Sequence, residues 1–179
     1  MMGTDLETNH NSLDLSEDID WQVVYLELLP RIYRYVAYRV GERMLAEDLT
    51  ASTFEKAWRG RHRYRQDLGA FSNWIFGIAR HVTARHLKSN NHHAISFEDL
   101  THIEADQNVQ EEIDIRGDFE RLSILLQRLP ERERELVSLK YGAEFTNRYI
   151  ARITGLSESN VGTILHRVIQ WIRSEWECE

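Results

Sequence analysis

The chain has 179 residues, 42% of them hydrophobic, and a formal charge of -7, enough apolar material for one or two modest cores. No run of 18 apolar residues exists to cross a bilayer, and the polar, acidic N-terminus lacks the basic-then-apolar order of an export signal, so a cytoplasmic protein without membrane insertion is expected. The lone cysteine, Cys178, can form neither an internal disulfide nor a thiolate metal cage.

Two prolines and nine glycines among long stretches of helix formers predict an all-α protein. The charge is unevenly spread. Residues 1–20 hold six acids and no Lys or Arg, and read as a disordered acidic tail. Residues 21–88 hold twelve bases against six acids, so the first folded module is locally basic. Screening limits charge effects to roughly 8 Å at physiological salt, so a phosphate there responds to the module rather than to the formula charge. An acidic total therefore does not exclude nucleic acid.

From Trp21 onward, Val24, Tyr25, Leu28, Leu29, Ile32, Tyr33 and Val36 recur at helical steps, with Pro30 expected to kink or divide the segment. A second helix is predicted from about Arg43 to Trp58, burying Leu45, Leu49, Phe54 and Trp58, and a third from about Ser72 to Leu87. The loop between them opens the stretch "RGRHRYRQDLGAFSNWIFGIARHVTARHLK", which interleaves Arg59, Arg61, Arg63, Arg65, Arg80, Arg85 and Lys88 with Tyr64, Phe71, Trp74 and Phe76. Cations beside rings suit single-stranded nucleic acid, where stacking contributes roughly 1–3 kcal/mol per base. The bland alternative makes Trp74, Ile75 and Ile78 core and the arginines a solvated rim.

Residues 89–117 carry seven acids and only Arg116, with weak periodicity, and read as a mostly irregular linker. A second helical module follows over 118–179. Phe119, Leu122, Leu125 and Leu126 form one apolar face, and Leu129-Pro130 starts a new helix with Glu131 and Glu133 in its first turn, ending near Gly142. A helix from Thr146, a turn at Thr154-Gly155 and a second helix capped by Ser157 make a helix-turn-helix. Ala151 allows a close crossing, Gly155 suits a left-handed turn, and Ile150, Leu156, Val161 and Ile164 face inward. Ser159, Asn160, Gly162, Thr163, His166 and Arg167 are left outward or at the N-terminus of the second helix, the element that enters the major groove in such motifs.

In order along the chain, "AEDLTASTFEKAW", "FSNWIFGIARH", an LP-started helix and "LSESNVGTILHRV" resemble a bacterial sigma factor of the sigma-70 family, in its extracytoplasmic-function group, over about residues 21–175. The resemblance implies a transcription initiation factor without enzymatic activity or cofactor. Its expected partners are core RNA polymerase and promoter DNA, duplex and melted, and it admits an anti-sigma factor as a further partner. By position, it implies a polymerase face at Asp48, Ala51, Ser52 and Glu55, supported by Leu49, Phe54 and Trp58. The loop from Arg61 to Asn73, including Arg63, Arg65, Phe71 and Ser72, would hold a flipped base of the minus-ten element, with His81, Arg85 and Lys88 following the adjacent DNA. Asn160, Gly162, Thr163, His166 and Arg167, with Ser159, would read the minus-thirty-five element. The chain departs from the family pattern at Ala51-Ser52, where Gln-Glu or Gln-Asp is frequent, at Tyr149, where Glu is usual, and at Gly162, often basic.

Two such promoter elements lie some two and a half helical turns apart, roughly 85 Å. The 29 linker residues reach at most about 95 Å when extended but average only about 30 Å as a free coil. An outside partner must hold them open. A rival enzymatic reading has histidines as its best material, namely His81, His86, His92, His93 and His102, but none forms the i, i+4 ligand pair with a carboxylate that a helical metal site needs. A second rival, a repressor or activator of duplex DNA, would usually be a symmetric dimer, whereas this chain has two unlike modules and no dimerisation heptads.

Overall fold

The first helix begins where the acidic segment ends. The Asp20 carboxylate accepts the N–H groups of Gln22 and Val23 at 3.0 and 3.2 Å, satisfying donors that a helix start leaves free, and α1 runs from Trp21 to Val40. The computed structural model of the chain describes residues 20–90 and 109–177. The tail before Asp20, most of the linker, His92, His93, His102 and Cys178 lie outside the described residues.

Contrary to the expected break, α1 continues through Pro30. The ring removes one helical hydrogen bond, but it lies on the exposed side while Leu28 and Ile32 are both buried in the core, so packing on either side keeps the helix in one piece. Gly41, at φ 76°, then ends α1 in the left-handed conformation, its N–H donating to the Ala37 carbonyl at 2.9 Å. Helix α2 spans Arg43–Arg59 and α3 spans Phe71–Asn90, with two short 3-10 turns, Arg61–Arg63 and Gln66–Leu68, between them.

The remaining elements are α4 (Val109–Arg128), α5 (Glu131–Val137), a π-helical turn (Ser138–Gly142), α6 (Asn147–Thr154) and α7 (Glu158–Glu177). Helix α4 starts inside the stretch read as irregular linker, and α3 extends two residues into it. The apolar pattern there is sparse, yet Gln110, Glu111 and Glu112 are good helix formers, and lengthening an existing helix requires no new nucleus. All the regular structure among the described residues is helical, as the composition predicts.

A single continuous core joins both modules. Ile32, Tyr35 and Phe76 from the first meet Leu126, Leu136, Leu139 and Ile150 from the second, all at most 1% exposed. Helix α1 lies at the centre, packed against α2 and α3 on one side and against α4, α5 and the π turn on the other. The closest approach is at Gly142, where an added Cβ would come within 2.7 Å of the Tyr35 backbone N and Cα. Only glycine allows this separation. We therefore expect Gly142→Ala to destabilise the protein by about 1–3 kcal/mol, the usual cost of overpacking against a backbone that cannot yield, and urea unfolding of the two proteins would measure it.

Candidate nucleic-acid interface

The loop between α2 and α3 is held by aromatic rings rather than by regular hydrogen bonding. Trp21, at the start of α1, meets Trp58 and Phe71 edge-on, with centroids at 5.0 and 5.2 Å. Phe71 in turn touches Tyr64 at 4.9 Å and Trp74 at 5.2 Å. Such pairs contribute about 0.5–1.5 kcal/mol each beyond their burial. The Tyr64 hydroxyl donates to the Gly69 carbonyl at 3.0 Å and closes the loop. Trp58, expected to be buried, is 49% exposed, because it stands at the end of α2 with Trp21 on one side and the Arg61 guanidinium 4.3 Å from its ring centre.

This scaffold turns the cations outward. Arg59, His62, Arg63 and Arg65 are exposed. Arg65 forms a forked pair with Asp67 at 3.1 and 2.6 Å, which holds the Asp67 carboxyl below its ordinary value, mainly through that hydrogen bonding. Arg59 pairs with Glu55 one turn earlier at 2.7 Å. Both pairs are open to water, where ion pairs are weak and readily exchanged for a phosphate. Phe71, Ser72 and Asn73 are half-buried at the start of α3, and His81, Arg85 and Lys88 are exposed along one face of it at i, i+4 and i+7. Trp74 is half-buried and Ile75 fully buried, as the core alternative has them. Arg80 leaves the basic run: it donates to Glu135 at 2.7 and 3.0 Å and to the Ile153 carbonyl at 3.3 Å, inside the contact between modules.

On α2, Asp48, Ala51 and Glu55 are exposed and Ser52 half-buried. Their spacing of three, four and seven residues places them on one face of the helix.

The helix-turn-helix is built from local signals. The Thr146 hydroxyl accepts the Tyr149 N–H at 3.2 Å to start α6, and Gly155, at φ 73°, ends it with its N–H on the Ala151 carbonyl at 3.0 Å. The Ser157 hydroxyl accepts the Asn160 N–H at 3.2 Å at the start of α7. Val161, Leu165 and Val168 are buried, and Leu156 and Ile164 half-buried. Ser159, Asn160, Thr163, His166 and Arg167 remain exposed. Gly162 is half-buried beside α6, where a Cβ would meet the Asn147 side chain at 3.6 Å, an ordinary contact. The helix thus presents small polar groups and one guanidinium at its outer face, the chemistry of base-edge recognition. Arg167 reaches Glu133 of α5 at 2.5 Å. Sequence reading missed this partner, since Glu133 was accounted for by the dipole of its own helix, and missed Trp21 as the buttress of the loop.

Among the described residues there is no group of three or more His, Cys, Asp or Glu side chains able to hold a metal ion, and no helix long and apolar enough to cross a membrane.

Comparison with known proteins finds Sigma-70 region 2 at residues 24–93 and Sigma-70, region 4 at residues 119–172. The chain is 32% identical over 155 residues to the ECF RNA polymerase sigma factor BldN of Streptomyces coelicolor, covering 82% of this chain and 56% of BldN. It therefore spans little more than half the length of that relative. It is 25% identical over 154 residues to the ECF RNA polymerase sigma factor SigM of Bacillus subtilis, covering 84% of this chain and 91% of SigM. In fold it is similar to the sigma factor RpoE of Bartonella quintana, solved in complex with the anti-sigma factor NepR, with TM-score 0.68 and 18% identity over 88% of this chain and 97% of that one.

Because Phe71 joins three of the rings that shape the basic loop, Phe71→Ala should lower stability by about 2–4 kcal/mol. Thermal unfolding checks this, and the same change should quench the packing-dependent fluorescence differences of Trp21 and Trp74.

Proposed function

The chain belongs to the extracytoplasmic-function group of the sigma-70 family, and from that premise we propose that it binds core RNA polymerase, recognises a bipartite promoter and assists DNA melting. The observation that carries the reading is that two unlike surfaces occur in family order on one chain: an arginine-rich loop on an aromatic scaffold, then a helix-turn-helix with an exposed polar face.

In this reading residues 21–88 form the module for polymerase and the minus-ten element, residues 118–179 the module for the minus-thirty-five element, and residues 89–117 the connection. The α2 face of Asp48, Ala51, Ser52 and Glu55 meets polymerase. Alanine and serine offer little reach, so affinity there comes from Asp48, Glu55 and the surrounding shape. Arg61, Arg63 and Arg65 meet the backbone of opened DNA, with Phe71, Ser72 and Asn73 lining the pocket for an extruded base, and His81, Arg85 and Lys88 continuing along the strand. A pocket of this kind stabilises the open state because an unstacked base, which costs a few kcal/mol to expose, regains contacts inside it. Asn160, Thr163, His166 and Arg167 read base edges, with Ser159 and Gly162 allowing close approach of the helix to the groove.

Run-off transcription with purified core polymerase tests the proposal. Promoter-specific transcripts that require the added chain support it. Binding to duplex DNA alone, with no effect on initiation, would indicate a simple duplex-binding regulator instead. Within the same assay, Arg63→Ala combined with Arg65→Ala should reduce promoter opening about tenfold, seen as permanganate reactivity of unpaired thymines, while leaving closed-complex binding within about twofold. Arg167→Ala should weaken binding to upstream duplex DNA by roughly five- to a hundredfold, the range for loss of one base contact, with helicity unchanged. A gel-shift titration with circular dichroism reads both quantities.

A further inference from the structure

We infer that Glu133 is a positioning residue for DNA reading: from α5 it holds the Arg167 guanidinium of α7 in one orientation, and so governs base discrimination more than affinity. This rests on the upstream-reading role proposed for α7 above.

Asn160, Thr163 and Arg167 are exposed at i, i+3 and i+7, on one face of α7. Arg167 has the greatest reach of the three. The Thr163 hydroxyl donates to the Ser159 carbonyl at 3.0 Å, so its proton is spent within the helix. Reading a guanine edge takes two parallel donors, which the guanidinium fork supplies. A side chain 68% exposed, left to itself, samples many rotamers. Bringing its fork to one base then costs most of that freedom, whereas a phosphate can be met from many of those rotamers.

Glu133 removes the freedom beforehand, and it is the less mobile partner. Its side chain is only 21% exposed, and it lines a cleft with Leu129, Pro130, Val168 and Trp171. Leu129 and Val168 are buried, which fixes the start of α5 against α7. Arg128, also at this cleft, is drawn elsewhere: it pairs with Glu175 at 2.6 Å and lies 5.3 Å from the centre of the Trp171 ring. Arg167 bonds to Glu133 through Nη2. Whichever Nη2 hydrogen is used, one complete two-donor edge of the fork is left for a base.

An ion pair open to water adds little to stability, so its effect here is on orientation. The carboxylate also repels nearby phosphates. It therefore lowers general affinity for DNA while raising selectivity, and the two effects can be separated by experiment.

The test uses the full chain with core polymerase and duplexes randomised over the upstream element. Sequencing the bound duplexes for the parent and for Arg167→Ala identifies the base pair that Arg167 reads, and competition titrations then compare all four pairs at that position. The parent should prefer one pair about five- to a hundredfold. Glu133→Gln, which keeps size and loses charge, should cut that preference about fivefold with helicity unchanged. It should bind the three disfavoured duplexes as well as the parent does, or better. Undiminished preference in Glu133→Gln overturns the inference. So does an equal loss on all four duplexes, which marks a merely structural role, and so does the same shift in preference when Arg167 is already alanine. If Arg167→Ala itself changes neither affinity nor preference, the upstream-reading role fails and the positioning role falls with it. If Arg167→Ala abolishes the preference and Glu133→Gln does not reduce it, only the positioning role fails.

Discussion

The structure depends on one helix serving two masters. Along α1, Ile32, Tyr35, Val36 and Arg39 are buried, and they are covered by α2 and α3 from one side and by α4, α5 and the π turn from the other. A helix with an apolar stripe must bury it against something. Here a stripe wider than one module can cover is completed by the second. The approach is limited by a single position, Gly142 against the Tyr35 backbone, and the arginine pairs are arranged around that point.

The loop shows how a surface can be basic and still ordered. Order of this kind ordinarily comes from the hydrogen bonds of a strand or helix; instead the rings of Trp21, Trp58, Tyr64, Phe71 and Trp74 interlock through five contacts, and the cations are left on the outside because the interior is already filled. Stacking rings that are engaged with one another makes a rigid floor. The surface left outward is therefore one of guanidinium groups and the exposed flank of Trp58 rather than a row of free aromatic faces.

Much of this was legible from residue types. Thr146, Gly155 and Ser157 announce the helix-turn-helix because each does a local job, capping or accepting a left-handed φ, that few other residues do as well. Helix α2 ends within a residue of its expected end for the same reason, with Gly60 following it. What the sequence hid was tertiary. Pro30 reads as a break, but its neighbours are pinned by packing from distant segments. Trp58 stands at core spacing, but at the end of its helix, beside Trp21 and Arg61, it is half exposed. The partners of Arg31, Arg34 and Arg39 leave no mark in the sequence, because nothing local reveals carboxylates and carbonyls that are about a hundred positions away. For the candidate site, the exposed positions of α7 followed from helical period alone, whereas the pairing of Arg167 with Glu133 needed the fold.

The buried guanidinium of Arg39 carries a further consequence. A leucine there would only have enlarged the apolar contact that already joins the modules. A cation sealed from solvent is different: on separation it regains its hydration shell, which offsets much of the attraction being given up. The guanidinium thus adds less to the attachment of the modules than its contacts suggest, and the oily cluster around Tyr35 carries most of it.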